Sequence, residues 1–220
     1  MYLIGLGDSW TNGAELDDNE LPFAAVLARK LNATYIHVAE DASSIPHLVL
    51  QLKTAIDKIP KNNTQPVLAT FLLTSLDRDL MWSTTTPKGT GFMESNPPPY
   101  NAPELVYLNG NDPLHRDWFL EYHSEELSSY RTNTTILALQ QMCRFHNIQD
   151  YWAWAWTRAW ENNVQLWPEV DTSRFYLNGR SSMKDLEFDS VKVNGRIGHP
   201  DQQQHNLMAS RFASLIQQTR

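Results

Sequence analysis

The chain has 220 residues and a mass of 25.3 kDa, enough for one sizeable domain and little beyond it. Apolar residues make up 41% and charged residues 20%, ordinary globular proportions, and no segment reaches the roughly 20 apolar residues needed to span a bilayer. A net charge of −7 and a pI near 5.4, without a Lys/Arg cluster, argue against nucleic acid and against a membrane surface as partners.

The stretch YLIGL (2–6) reads as a short buried strand. With Tyr2 already in the fold, no basic leader precedes an apolar run, and no signal peptide is expected. From Asn19 to Leu31 the residues Leu21, Ala24, Ala25, Ala28 and Leu31 recur at helical spacing. TYIHVA (34–39) reads as a second strand. Pro46 to Ile59 reads as a second helix, with Pro in the first turn and Leu48, Leu52, Ala55, Ile56 and Ile59 on one stripe. PVLATFLLT (66–74) is nearly all apolar, as a central parallel strand covered on both faces requires. This alternation predicts a doubly wound α/β fold: a three-layer α/β/α sandwich with a mostly parallel, flavodoxin-like sheet.

The alternation breaks over 76–123, a Pro-, Thr-, Asn- and Gly-rich stretch containing MESNPPPYNAPE. It is too long for a plain connection and reads as an insertion or long loop within a single domain spanning 1–220. Glu125 to Asn147 resumes as a long helix, and IQDYWAWAW (148–156) reads as the fourth strand. Residues 157–185 are irregular and polar-aromatic, and LEFDSVKV (186–193) is a further strand or extended segment. A last helix follows Asp201, which forms a D-x-x-Q capping box with Gln204; Met208, Phe212, Leu215 and Ile216 supply its apolar face.

The single cysteine, Cys143, excludes an internal disulfide and a cysteine metal site, and its apolar setting reads as core. No His/Asp/Glu cluster has metal spacing, and the G-x-G of 5–7 lacks the third glycine of a phosphate loop, so neither metal nor cofactor is expected. Trp152, Trp154 and Trp156 alternate, as on one buried strand face. Trp160 and Trp167 stand in the irregular segment, either as core or as a sugar-stacking surface. Trp10 is a candidate for packing or for substrate contact.

In parallel α/β sheets, functional groups collect beyond the carboxyl ends of the strands. Ser9 lies immediately past the first strand, after Gly5 and Gly7. It is either a nucleophile or, with Asp8, the cap of a turn. A nucleophilic serine needs a base. Of the seven histidines (37, 47, 115, 123, 146, 199 and 205), His199 is distinct: it precedes Pro200 and lies two residues before the cap Asp201, on a loop rather than an apolar face. Ser9 and His199 can meet if both lie on the carboxyl side of the sheet.

G-D-S after one short strand, with H-P before a closing helix, resembles the SGNH (GDSL-type) hydrolases. GDSWTNGAEL and GHPDQQQHNLMA are most similar to the short SGNH proteins of tailed-phage genomes. The resemblance implies a serine esterase acting on small acyl esters, glycan O-acetyl groups among them, located in the host cytoplasm or the virion. It makes Ser9 the nucleophile, His199 the general base and the Ser9 N–H an oxyanion donor. The chain departs from the family pattern at three places. Asp41 stands where the second block has glycine. Leu76 stands where the third block has its asparagine donor, leaving Thr74, Ser75 or Arg78 to replace it. Arg196 stands where the orienting acid belongs, leaving Asp201, His205 or Asp189 as substitutes, or a Ser–His dyad alone. Asp8, Asp41, Ser75 and Arg78 are the expected oxyanion and supporting residues. The alternative is a catalytically weak or inactive SGNH scaffold, serving as a virion structural or carbohydrate-binding module. A nucleotide-binding flavodoxin-like protein is disfavoured by the missing phosphate loop.

Overall fold

A computed structural model describes residues 1–41, 43–74, 78–83, 104–109, 124–155, 166–179, 183 and 199–219. In chain order the elements are β1 (Tyr2–Leu6), α1 (Ser9–Asn12), α2 (Phe23–Lys30), β2 (Thr34–His37), α3 (Leu48–Lys58), β3 (Val67–Leu73), β4 (Arg78–Ser83), β5 (Glu104–Asn109), α4 (Glu125–Phe145), β6 (Ile148–Trp154), a 3-10 turn (Tyr176–Gly179) and α5 (Gln202–Gln218). Strands β2, β1, β3 and β6 form one sheet in that order, all parallel. From β1 the chain winds outward first to β2 and then, on the other side, to β3. The order therefore reverses between β1 and β3, and a crevice opens beyond their carboxyl ends.

Alternate strand residues feed two cores, as a period of two demands. Ile4, Leu6, Ala69, Phe71, Trp152 and Trp154 face α3 and α4, meeting Leu48, Leu52, Ile136 and Leu139. Leu3, Leu68, Leu72, Tyr151 and Ala153 face α2 and α5, meeting Phe23, Leu27, Met208 and Phe212. These are the three layers of an α/β/α sandwich. All seven residues of β3 are buried, which accounts for its unbroken apolar sequence. Trp152 is sandwiched between Phe71 and Phe175, with centroids at 4.0 and 5.4 Å. Trp152 and Trp154 are thus core residues; Trp156 lies outside the described residues.

The structure shifts three boundaries. The helix expected from Asn19 begins at Phe23, because Pro22 biases Leu21 against helical geometry and residues 17–20 form a turn instead. The stretch 76–123 contains an antiparallel pair, β4 with β5, rather than loop alone. The fourth sheet strand ends at Trp154. The expected element at 186–193 lies outside the described residues. Among the described residues no helix is long and apolar enough to cross a membrane.

One tertiary clamp fixes the last helix. Pro22 stands at the N-cap of α2 and supplies no side-chain cap. The buried backbone donor of Phe23 is taken instead by His205 Nδ1 of α5, at 3.0 Å. Gln202 accepts from the Leu21 N–H at 2.6 Å and donates to the Leu21 carbonyl at 3.2 Å. The capping box at Asp201 and Gln204 forms as the sequence predicts.

Candidate active site

The site is built from the turn after β1. Gly7 adopts φ +155°, and a Cβ there would lie 2.1 Å from Thr11 Oγ1, so the position excludes any side chain. Gln51 of α3 accepts from the Gly7 N–H and donates to the Gly7 carbonyl, each at 2.9 Å. Asp8 caps α1: its Oδ1 accepts from the Trp10 N–H at 3.1 Å. Its Oδ2 accepts from the Thr74 hydroxyl at 2.7 Å. Asp8 thereby ties the end of β1 to the residue following β3 across the crevice.

Ser9 is the first residue of α1 and is buried but for 8% of its surface. Among the described residues no acceptor takes its backbone N–H. His199 Nε2 lies 2.9 Å from Ser9 Oγ. The structure thus brings together two residues 190 positions apart. The turn leading into α5, fixed by buried Pro200 and the Asp201 cap, delivers the imidazole.

The other ring nitrogen, Nδ1, lies 3.3 Å from Glu15 Oε2. The distance is that of an ion pair, but among the described residues Nδ1 has no aligned hydrogen-bond partner. Glu15 carries φ +68°, a left-handed conformation uncommon outside glycine. No motif or periodicity in the sequence singles it out. The available signal was a carboxylate six residues beyond the serine, just after Asn12-Gly13, where a chain turns back on itself.

A second serine–histidine contact lies close by in sequence to α3. Ser43 Oγ is 3.0 Å from His47 Nδ1, but its single proton goes to the Glu40 carbonyl at 2.7 Å. His47 must therefore donate, the reverse of what a general base does. Burial holds the His47 pKa below the usual histidine value, with Glu40 opposing. Gln51 Nε2 also donates to Ser43 Oγ at 2.8 Å, so this pair braces the Gly7 turn.

The remaining expected residues separate into groups. Asp41 is exposed, and its Oδ1 accepts from the Asn12 amide at 2.8 Å. The Thr74 hydroxyl gives its single proton to Asp8, so that hydroxyl is not available as the replacement oxyanion donor. Arg78 opens β4, and only its backbone is described. Trp10 is 4% exposed and packs in the core on the α2 side, which removes it as a substrate contact. Trp167 is half-buried on the α4 side, edge-on to Tyr130 at 5.6 Å, with its backbone N–H on Asn133 Oδ1. Asp201 and His205 are engaged at helix ends rather than at the His199 ring. Ser75, Leu76, Trp160, Asp189 and Arg196 lie outside the described residues.

A serine and an imidazole meeting at the reversal point of a parallel sheet define an α/β protein with the geometry of nucleophile and base. No protein-family model matches the chain, and no curated protein matches it. Among solved structures it is similar to AlinE4, described as an SGNH-hydrolase family esterase, at 13% identity, covering 99% of this chain and 95% of that one with a TM-score of 0.48. It is similar also to a mutant of esterase AlinE4, at 13% identity, covering 100% and 96% with a TM-score of 0.47.

Proposed function

We propose that this protein is a serine esterase of SGNH type acting on small acyl esters, of which glycan O-acetyl groups are one class. The 2.9 Å approach of His199 Nε2 to Ser9 Oγ carries the reading. In this mechanism the Ser9 hydroxyl donates to Nε2, His199 takes the proton, and Oγ attacks the ester carbonyl carbon. The Ser9 N–H, which no acceptor takes among the described residues, faces the developing oxyanion, and one such donor is worth about 3 kcal/mol in the transition state. Collapse expels the alcohol, protonated by His199, and leaves an acyl-serine. His199 then deprotonates water, which attacks the acyl carbon and restores the serine. The G-D-S and H-P motifs, at the two positions where the family carries them, support the same assignment.

Hydrolysis of p-nitrophenyl acetate by wild type and by Ser9→Ala tests it. The substitution should lower kcat/KM by at least about 10³-fold, and a fluorophosphonate probe should label Ser9 in wild type alone. Equal rates and no label would reject the esterase in favour of an inert scaffold.

A further inference from the structure

His199 has an unusual neighbour. Among the described residues, Glu15 is the one carboxylate within 4 Å of its ring, with Oε2 3.3 Å from Nδ1. Nδ1 is shielded from solvent and has no aligned partner among the described residues. The position three residues before the histidine holds Arg196, which has the wrong charge to orient an imidazolium. A carboxylate therefore reaches the ring from the opposite end of the chain.

The backbone explains how. The Ser9 carbonyl accepts from both the Gly13 and Ala14 N–H groups, each at 2.9 Å, closing α1 after a single turn. Gly13, at φ +82°, reverses the chain, and Leu16 N–H bonds back to the Gly13 carbonyl at 3.1 Å. Glu15 sits within this reversal at φ +68°. For a residue with a Cβ that conformation costs about 1 kcal/mol. A glycine or asparagine would avoid the cost, so the strain needs a reason in the side chain.

We propose that Glu15 is the positioning residue for His199. Its carboxylate accepts the Nδ1 proton, which fixes the tautomer whose Nε2 lone pair faces Ser9, and it stabilises the imidazolium formed when Ser9 attacks. Nucleophile and acid then belong to one short turn, and only the base comes from elsewhere. The 3.3 Å contact shortens and aligns when the ring becomes charged. This inference rests on the esterase reading for its kinetic consequence but not for its structural one.

The test uses Glu15→Gln, which keeps size and backbone, with Glu15→Asp as the conservative rescue. Glu15→Gln should lower kcat on p-nitrophenyl acetate by about 10²-fold with KM little changed. That is less than the ~10⁴-fold loss for a buried triad acid, because solvent screens Glu15. Glu15→Asp should recover activity to within about tenfold of wild type. Nitrogen-15 NMR of the His199 ring at neutral pH reads the tautomer without needing catalysis: Nδ1–H in wild type, a mixture in Glu15→Ala. Activity unchanged in Glu15→Gln overturns the proposal, as does a tautomer unchanged in Glu15→Ala. If wild type neither hydrolyses esters nor reacts with the fluorophosphonate, the esterase reading fails and the tautomer comparison still decides the role of Glu15.

Discussion

Gln51 holds the Gly7 peptide from both sides, its Oε1 accepting the Gly7 N–H and its Nε2 donating to the Gly7 carbonyl, each at 2.9 Å. Its second amide proton goes to Ser43. One buried side chain thus fixes the turn that delivers Ser9 and braces it against the loop after β2. Gln51→Leu leaves the Gly7 N–H buried without an acceptor. The expected loss is about 3 kcal/mol in urea unfolding, with ester hydrolysis falling alongside as the turn loosens.

Gly7 and Thr11 form a tight steric pair. A Cβ on Gly7 meets Thr11 Oγ1 at 2.1 Å, Thr11 Cβ at 2.9 Å and the Leu72 carbonyl at 3.1 Å. Gly7→Ala should destabilise by about 3 kcal/mol or more through overpacking and unfavourable φ. Gly7→Ala with Thr11→Ala should recover part of that loss, giving a coupling of about 1 kcal/mol or more in a double-mutant cycle. Strict additivity would show that φ alone, not Thr11, excludes the side chain.

Thr74→Val removes the hydroxyl that reaches Asp8 Oδ2. A hydrogen bond to a buried carboxyl group is worth about 2 kcal/mol, and unfolding should report a loss of that order. Because the Thr74 hydroxyl is engaged by Asp8, kcat should fall less than tenfold, against the roughly 10²- to 10³-fold cost of deleting an oxyanion donor. A loss in the larger range with unchanged stability would return Thr74 to the oxyanion site.

Burial pushes the His205 imidazole down to about 4, against the usual histidine value of 6.5. The neutral ring accepts the Phe23 N–H. The unfolded chain therefore binds the proton first, and the folded state loses stability as pH falls from 6.5 toward 4, in total by about 3 kcal/mol. Above pH 6.5 this contribution is fully present. His47, depressed chiefly by its own burial, adds in the same direction. His205→Gln should flatten the acid limb of the stability–pH curve while lowering stability at pH 7 by about 1 kcal/mol through the lost cap. A curve parallel to wild type between pH 6.5 and 4 would contradict the assignment.

The layers were legible because apolar period and burial coincide in YLIGL, PVLATFLLT and the stripe of α3, each of which needs only its own neighbours to be read. Ser9 and His199 were legible because each sits at an element end with a distinctive flank, Gly-Asp on one side and Pro on the other. Glu15 was not, because its reach depends on one left-handed residue in a turn, and no periodicity encodes that. The role of His205 was hidden for a different reason: the donor it caps lies 182 residues away, and only docking of α5 on α2 reveals the need. Thr74, Ser75 and Arg78 stood as equal candidate donors because a hydroxyl's single proton has one destination, and sequence does not show which.

The clamp of Gln202 and His205 on residues 21–23 has an operational meaning. The turn after the first strand carries the alcohol, whereas the turn entering a helix held at its first turn by a few polar bonds carries the imidazole. Peeling that turn away separates the reacting pair while every ladder between the four strands persists. Turnover should therefore vanish at lower denaturant than circular dichroism does, making hydrolysis a gauge of the final docking step rather than of the scaffold beneath it.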